Sequence, residues 1–158
     1  MELGKADTGA GAYSLAALGV EEIRELWTTT YNREGKPDWS HIFPYYHEDI
    51  RFRDSIQELR GIDEFRLLCS RLAGRCSQLS MNIPTIVKDG SVVFMQWEMT
   101  MIFKNTPSST IYGATRLLLH EDGRIIDQRD YYDLWGDIFD NIPWFAKPYR
   151  RFMSKKFG

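Results

Sequence analysis

Asp130 stands in the run RIIDQRDYYDLWG, residues 124–136. In an extended strand, side chains alternate between the two faces of a sheet. That puts Ile126, Gln128, Asp130 and Tyr132 on one side and Ile125, Asp127, Arg129 and Tyr131 on the other. A carboxylate flanked on its own face by an apolar residue and an aromatic either lines a pocket or sits at a solvated edge. A second such aspartate is Asp54, in IRFRDS (50–55), which shares a face with Ile50 and Phe52 while Arg51, Arg53 and Ser55 take the other. A carboxyl group drawn partly out of water holds its proton more tightly and can exchange it near neutrality. Two of them facing one apolar hollow would suit proton transfer without a cofactor. The local alternative for Asp54 is to cap the turn at 55–60 or to pair with Arg60.

Holding two such strands in place takes a sheet and helices to cover it. Ile23, Leu26, Trp27, Thr30 and Tyr31 recur at the spacing of one helical face. GKP (35–37) ends that helix, and Asp38 can cap a second with Trp39, Ile42, Phe43 and Tyr46 on its apolar side, kept short by Pro44. After the strand at 50–55, Gly61 opens a third helix that would bury Ile62, Phe65, Leu68, Cys69, Leu72 and Cys76. Four strand-like runs follow, at 79–88, 91–103, 110–120 and 124–133, joined at Asp89-Gly90, at NTPSS and at Glu121-Asp122-Gly123. Helices followed by a meander predict an α+β fold with helices on one face of a curved antiparallel sheet. The expected organisation is a flexible arm at 1–19, a domain at 20–135 and a basic amphipathic extension at 136–158.

A chain of 158 residues, 43% apolar and 27% charged, is long enough for a substantial core in one domain. Its net charge of -2 offers no field to attract nucleic acid, which is not expected as a partner. Cys69 and Cys76 lie seven residues apart in a helical segment, about 10 Å along the axis and too far for a disulfide. With no metal-ligand spacing, signal peptide or membrane-length apolar run, the expectation is a cytoplasmic protein without metal or cofactor.

The element order, with HEDIRFRDSIQELRGIDEF and GRIIDQRDYYD, resembles the nuclear transport factor 2-like superfamily, also called SnoaL-like or cystatin-like, over about residues 20–135. Ketosteroid isomerases, limonene-1,2-epoxide hydrolases, polyketide cyclases and binding proteins without chemistry share that scaffold. The resemblance implies a sheet curled around a cone, closed by the helices, whose mouth accepts a small, largely apolar molecule. Asp54 and Asp130 would both face into it, with walls from Trp27, Tyr31, Phe52, Phe94, Tyr112 and Tyr132.

The residue sets of the two enzyme types are incomplete. Where the resemblance to ketosteroid isomerases expects a donor tyrosine the chain has Trp27, with Tyr31 one turn on, and where it expects a protonated acid the chain has Thr115. Both are weaker donors for an oxyanion. The resemblance to epoxide hydrolases gives Asp130 the place of the aspartate that takes a proton from water, but sets Phe52 and Asp54 where a Tyr and an Asn would be. It sets Gln96 and Glu98 in place of an Arg-x-Asp pair. Without the cation, Asp54, Glu98 and Asp130 in one cavity would repel one another and share a proton. The reading that follows is a pocket protein for acid/base work on a small apolar molecule. The catalytic candidates are Asp54, Asp130 and Glu98, with Gln96, Thr115 and Gln128 added to the walls as substrate-binding positions. A non-catalytic binding or dimerisation module is the alternative.

On the strand at 91–103 the row Val93, Met95, Trp97, Met99, Met101 and Phe103 is entirely apolar. One reading buries it and exposes Gln96 and Glu98; the other places Glu98 inside and sends that row to the outer face of the sheet. An apolar row of that length needs a cover, which predicts a homodimer through that face. His47 reads as structural, and Arg129 as part of an ion-pair set with Asp127 and Asp133. The extension carries Lys147, Arg150, Arg151, Lys155 and Lys156. Contact with a membrane surface is its less favoured reading, behind packing over the cone mouth or against a partner copy.

Overall fold

The computed structural model describes residues 12–31, 35–105, 108–138 and 142–158, without the side chains of Tyr31, Ile138 and Pro143. The elements are α1 (Val20–Tyr31), β1 (Tyr46–Arg53), β2 (Glu58–Arg60), α2 (Ile62–Arg75), β3 (Cys76–Asp89), β4 (Val92–Phe103), β5 (Ser109–Leu119), β6 (Ile125–Tyr132) and α3 (Pro143–Phe157). The strands form one open sheet in the order β2-β1-β6-β5-β4-β3. Neighbouring strands run antiparallel except β1 and β6, which are parallel, so the sheet is mixed rather than antiparallel throughout.

The helical periods at α1 and α2 come out as read from the sequence, except that α2 ends at Arg75 and Cys76, read as its last buried residue, is extended and opens β3. The expected helix around Trp39–Tyr46 is absent: only a single 3-10 turn forms, Phe43–Tyr45, and Tyr46 already belongs to β1. Pro44 explains this: it would fall in the interior of the expected helix, where it has no amide for the Ser40 carbonyl and its ring crowds that carbonyl, whereas it fits the start of a 3-10 turn. Of the expected arm, residues 1–11 lie outside the described ones, while Leu15 is fully buried and Ala16 donates its amide to the Gly123 carbonyl at 3.2 Å.

The core lies between the helices and the inner sheet face, where Ile23, Trp27, Ile50, Met95, Leu117 and Ile125 are all buried. Ile126 is an extra residue on β6, since Leu118 pairs with Asp127 and Leu119 with Ile125. Such a bulge shifts the alternation by one. Ile125, not Ile126, therefore joins Gln128 on the buried face. Among the described residues, no helix is long and apolar enough to cross a membrane.

Candidate active site

Asp130 faces inward from β6, directly opposite Thr115 on β5. Its Oδ1 accepts the Thr115 hydroxyl at 2.7 Å and the Gln128 Nε2 amide at 3.0 Å. Each donor is held in turn. The Trp97 indole N–H donates to Thr115 Oγ1 at 2.9 Å, and the Tyr46 hydroxyl donates to Gln128 Oε1 at 2.6 Å. Trp97 reaches Thr115 because Gly113 lets it: a Cβ at Gly113 would stand 2.4 Å from the indole ring. Oδ2 of Asp130 has no hydrogen-bond partner among the described residues.

Asp54 follows β1 and does two jobs. Its Oδ1 caps the turn, accepting the amides of Ile56 and Gln57 at 2.8 Å each, which is the local role open to it from sequence. Its Oδ2 accepts the Tyr132 hydroxyl at 3.2 Å. Tyr132, two residues beyond Asp130 on the same strand, thus bonds Asp54, and among the described residues no hydrogen bond joins it to Asp130.

Burial pushes the Asp130 carboxyl up to about 6. The Thr115 and Gln128 hydrogen bonds oppose that rise, and the Asp54 charge adds to it. Burial also pushes the Tyr132 phenol up, helped by the charges of Asp54 and Asp130, so it stays a neutral donor. On α2, the buried Cys69 thiol is pushed up to about 12 by burial and then by Asp130, which keeps it protonated and poorly nucleophilic. Phe52 packs on Phe65 of α2 at 5.4 Å and walls the same side.

The other candidates divide. Thr115, Gln128 and Tyr132 join Asp130 and Asp54, Phe52 forms wall, and Trp27 is buried in the core. The Tyr31 side chain lies outside the described residues. Phe94, Gln96, Glu98 and Tyr112 point outward, and this corrects the placement of Glu98 in the cavity. Glu98 is exposed, pairs across the strands with Tyr112, and meets Asn82 Nδ2 at 3.5 Å. The physical reason is burial: Val93, Met95 and Trp97, the row read as outer, fill the core instead. The argument for a dimer from that row therefore falls. Asp127 is paired by Arg53 at 3.7 Å and Arg116 at 3.4 Å, while Arg129 lies over the Tyr131 ring at 5.3 Å.

Sequence reasoning missed Tyr46, Trp97 and Cys69. The signal available for Trp97 was its place in an unbroken apolar row, the stronger candidate for burial. Two hollows lie away from the aspartates. One, of about 360 Å³, is lined by Ser109, Tyr112, Asp137 and Arg150 among others, and one of about 460 Å³ runs along α3.

The fold is shared by several solved structures. An LEH-like epoxide hydrolase from M. tuberculosis is 20% identical with a TM-score of 0.62, over 80% of this chain and 90% of that one. A SnoaL-like polyketide cyclase from Jannaschia sp. CCS1 is 18% identical with a TM-score of 0.61, over 80% and 90%. An NTF2-like protein of unknown function from Exiguobacterium sp. 255-15 is 16% identical with a TM-score of 0.58, over 72% and 96%. None of the curated proteins compared with the chain matches it. The profile of the SnoaL-like domain matches residues 20–128, from the start of α1 to Gln128 in the site itself. The chain belongs to the SnoaL-like domain family.

Proposed function

We propose that this protein binds a small, largely apolar molecule against the inner sheet face and moves a proton on it through Asp130, with no cofactor. The observation that carries the reading is the asymmetry of that carboxylate: Oδ1 is fixed by two donors, while Oδ2 has no partner among the described residues. A group with a midpoint near 6 exchanges protons readily at neutral pH, and a positioned acid or base contributes roughly 10²–10⁴ in rate. Asp54 and Tyr132 would act as the positioning pair at the rim, where Ser55 and Ile56 meet solvent. The structural relatives named as an epoxide hydrolase and a polyketide cyclase support small-molecule chemistry on this scaffold.

A binding module without chemistry is the second reading. It is favoured by the turn-capping role of Asp54 and by the distance of both hollows from the aspartates. A turnover screen with lactones, enones, steroids and epoxides separates the two. Under the first reading Asp130→Asn loses roughly 100-fold or more in kcat/KM on the active compound. Equal turnover in Asp130→Asn and Asp54→Asn would overturn the assignment, and saturable binding without conversion would select the second reading.

Pairing of two copies through the outer sheet face belongs to the same proposal. Phe94, Tyr112 and Tyr131 remain 40%, 58% and 48% exposed there, which supports it. Sedimentation equilibrium should give twice the chain mass, and a monomer at all concentrations would dismiss it.

A further inference from the structure

The element the proposed chemistry leaves unused is α3, whose fifteen residues carry Lys147, Arg150, Arg151, Lys155 and Lys156 and no acid. The whole chain has 20 Lys and Arg against 22 Asp and Glu, so outside this helix 15 cations face 22 acids, a net charge of -7, and the helix is the cationic end.

One side of α3 carries two rings that stack on Trp135, in the segment just before the helix. Phe145 and Tyr149 stack at 5.5 Å with their planes 14° apart, and both rings lie on Trp135, at 5.8 and 6.0 Å. The adjoining face is exposed with an ordered pattern, although Trp144 meets the Phe145 ring edge-on at 6.0 Å. Trp144, Pro148 and Phe152 follow one another at i, i+4 and i+8, and Lys147, Arg151 and Lys155 form the neighbouring row at the same spacing. Trp144 is 77% exposed and Phe152 57%, while the three cations are exposed beside them. Phe157, 78% exposed, ends the helix. An aromatic stripe alongside a cationic one suits a boundary that is oily on one side and negatively charged on the other.

We propose that this face of α3 docks on an anionic lipid surface. Trp144 and Phe152 would enter the boundary between headgroups and acyl chains, and Lys147, Arg151 and Lys155 would meet the lipid phosphates. The helix is about 22 Å long, too short for the ~30 Å hydrocarbon core, so it lies in the plane of the surface. An acidic protein partner would engage the cations and leave both large aromatic rings in water, which is why lipid is the better match. Docking stands independently of any chemistry at Asp130.

The test is flotation of the full chain with vesicles of phosphatidylcholine alone and of phosphatidylcholine enriched in phosphatidylserine. Capture is expected on the anionic vesicles only and should fade as salt rises. The triple variant K147E/R151E/K155E should bind roughly 100-fold more weakly, and W144A/F152A at least about tenfold more weakly, with unchanged thermal melts because all five side chains are exposed. Quenching of tryptophan fluorescence by brominated lipid provides a readout on the unaltered chain. Failure to float at low salt, equal capture by neutral vesicles, or absence of quenching would each overturn the proposal. Undiminished capture of W144A/F152A would do so too, pointing to a purely ionic acidic partner instead.

Discussion

Thr115 and Asp130 are direct cross-strand partners, and the threonine hydroxyl donates to the aspartate at 2.7 Å while itself receiving the Trp97 indole N–H. The consequence is a buried carboxylate whose one oxygen is fixed by a relay that begins three strands away from β1. Thr115→Val keeps the shape and removes the relay. It leaves the Trp97 N–H without its acceptor and strips Asp130 of one of the two bonds that oppose its rise. Destabilisation of about 1–2 kcal/mol in urea melts is expected, together with an upward move of the Asp130 midpoint followed by carbonyl NMR.

Asp130 should leave a mark on stability against pH. Its folded value, raised from 3.8 to about 6, means that the folded state binds the proton more tightly than the unfolded state does. Stability contributed by this group is therefore present at low pH and falls as pH rises from near 4 through near 6. Asp130→Asn retains an acceptor for Thr115 and Gln128 and removes the charge. It should be more stable than the parent by about 3 kcal/mol at pH 7, with the difference vanishing below about pH 4. Thermal melts across that range check it.

Asp54 supports a turn and a charge, and two substitutions separate these. Asp54→Asn keeps an oxygen for the Ile56 and Gln57 amides, so its stability should stay near the parent's. Asp54→Ala loses the cap and should cost about 1 kcal/mol. Both remove the charge that helps raise Asp130, so the Asp130 midpoint should fall in each.

Gly113 is a packing requirement rather than a turn. Alanine there places a methyl carbon 2.4 Å from the Trp97 ring and 2.7 Å from the Tyr131 carbonyl oxygen. The indole must move off Thr115. Gly113→Ala should lose about 1–3 kcal/mol and change the near-ultraviolet circular dichroism, because overpacking drives a ring from its place.

The sequence was most informative where a period repeats over many residues and the turn chemistry agrees with it. The face carrying Ile23 and Trp27, the helix carrying Phe65 and Cys69, and the hairpin at Asp89-Gly90 were all legible in this way. It was least informative where one residue changes the count. The bulge at Ile126 swaps which isoleucine is buried. On β4, alternation separates Val93, Met95 and Trp97 from Phe94, Gln96 and Glu98 but does not say which row faces the helices. Carrying the Arg-x-Asp pair of the epoxide hydrolases onto Gln96 and Glu98 chose the wrong one of the two rows and turned Glu98 from an outer residue into a supposed site acid.

The sequence by itself determined α1, α2 and the four later strands, the α+β arrangement, and the shared face of Gln128, Asp130 and Tyr132, because helix and strand periods are properties of neighbouring residues. Only the tertiary structure decided that Trp97 and not Glu98 stands beside Asp130, and that Tyr46 orients Gln128 from 82 residues away. It also decided that Asp54 spends one oxygen on its own turn. Those outcomes depend on which row of each strand is removed from water and on hydrogen bonds between strands distant in the chain. The free energy of burial fixes both only once the whole sheet is assembled against its helices.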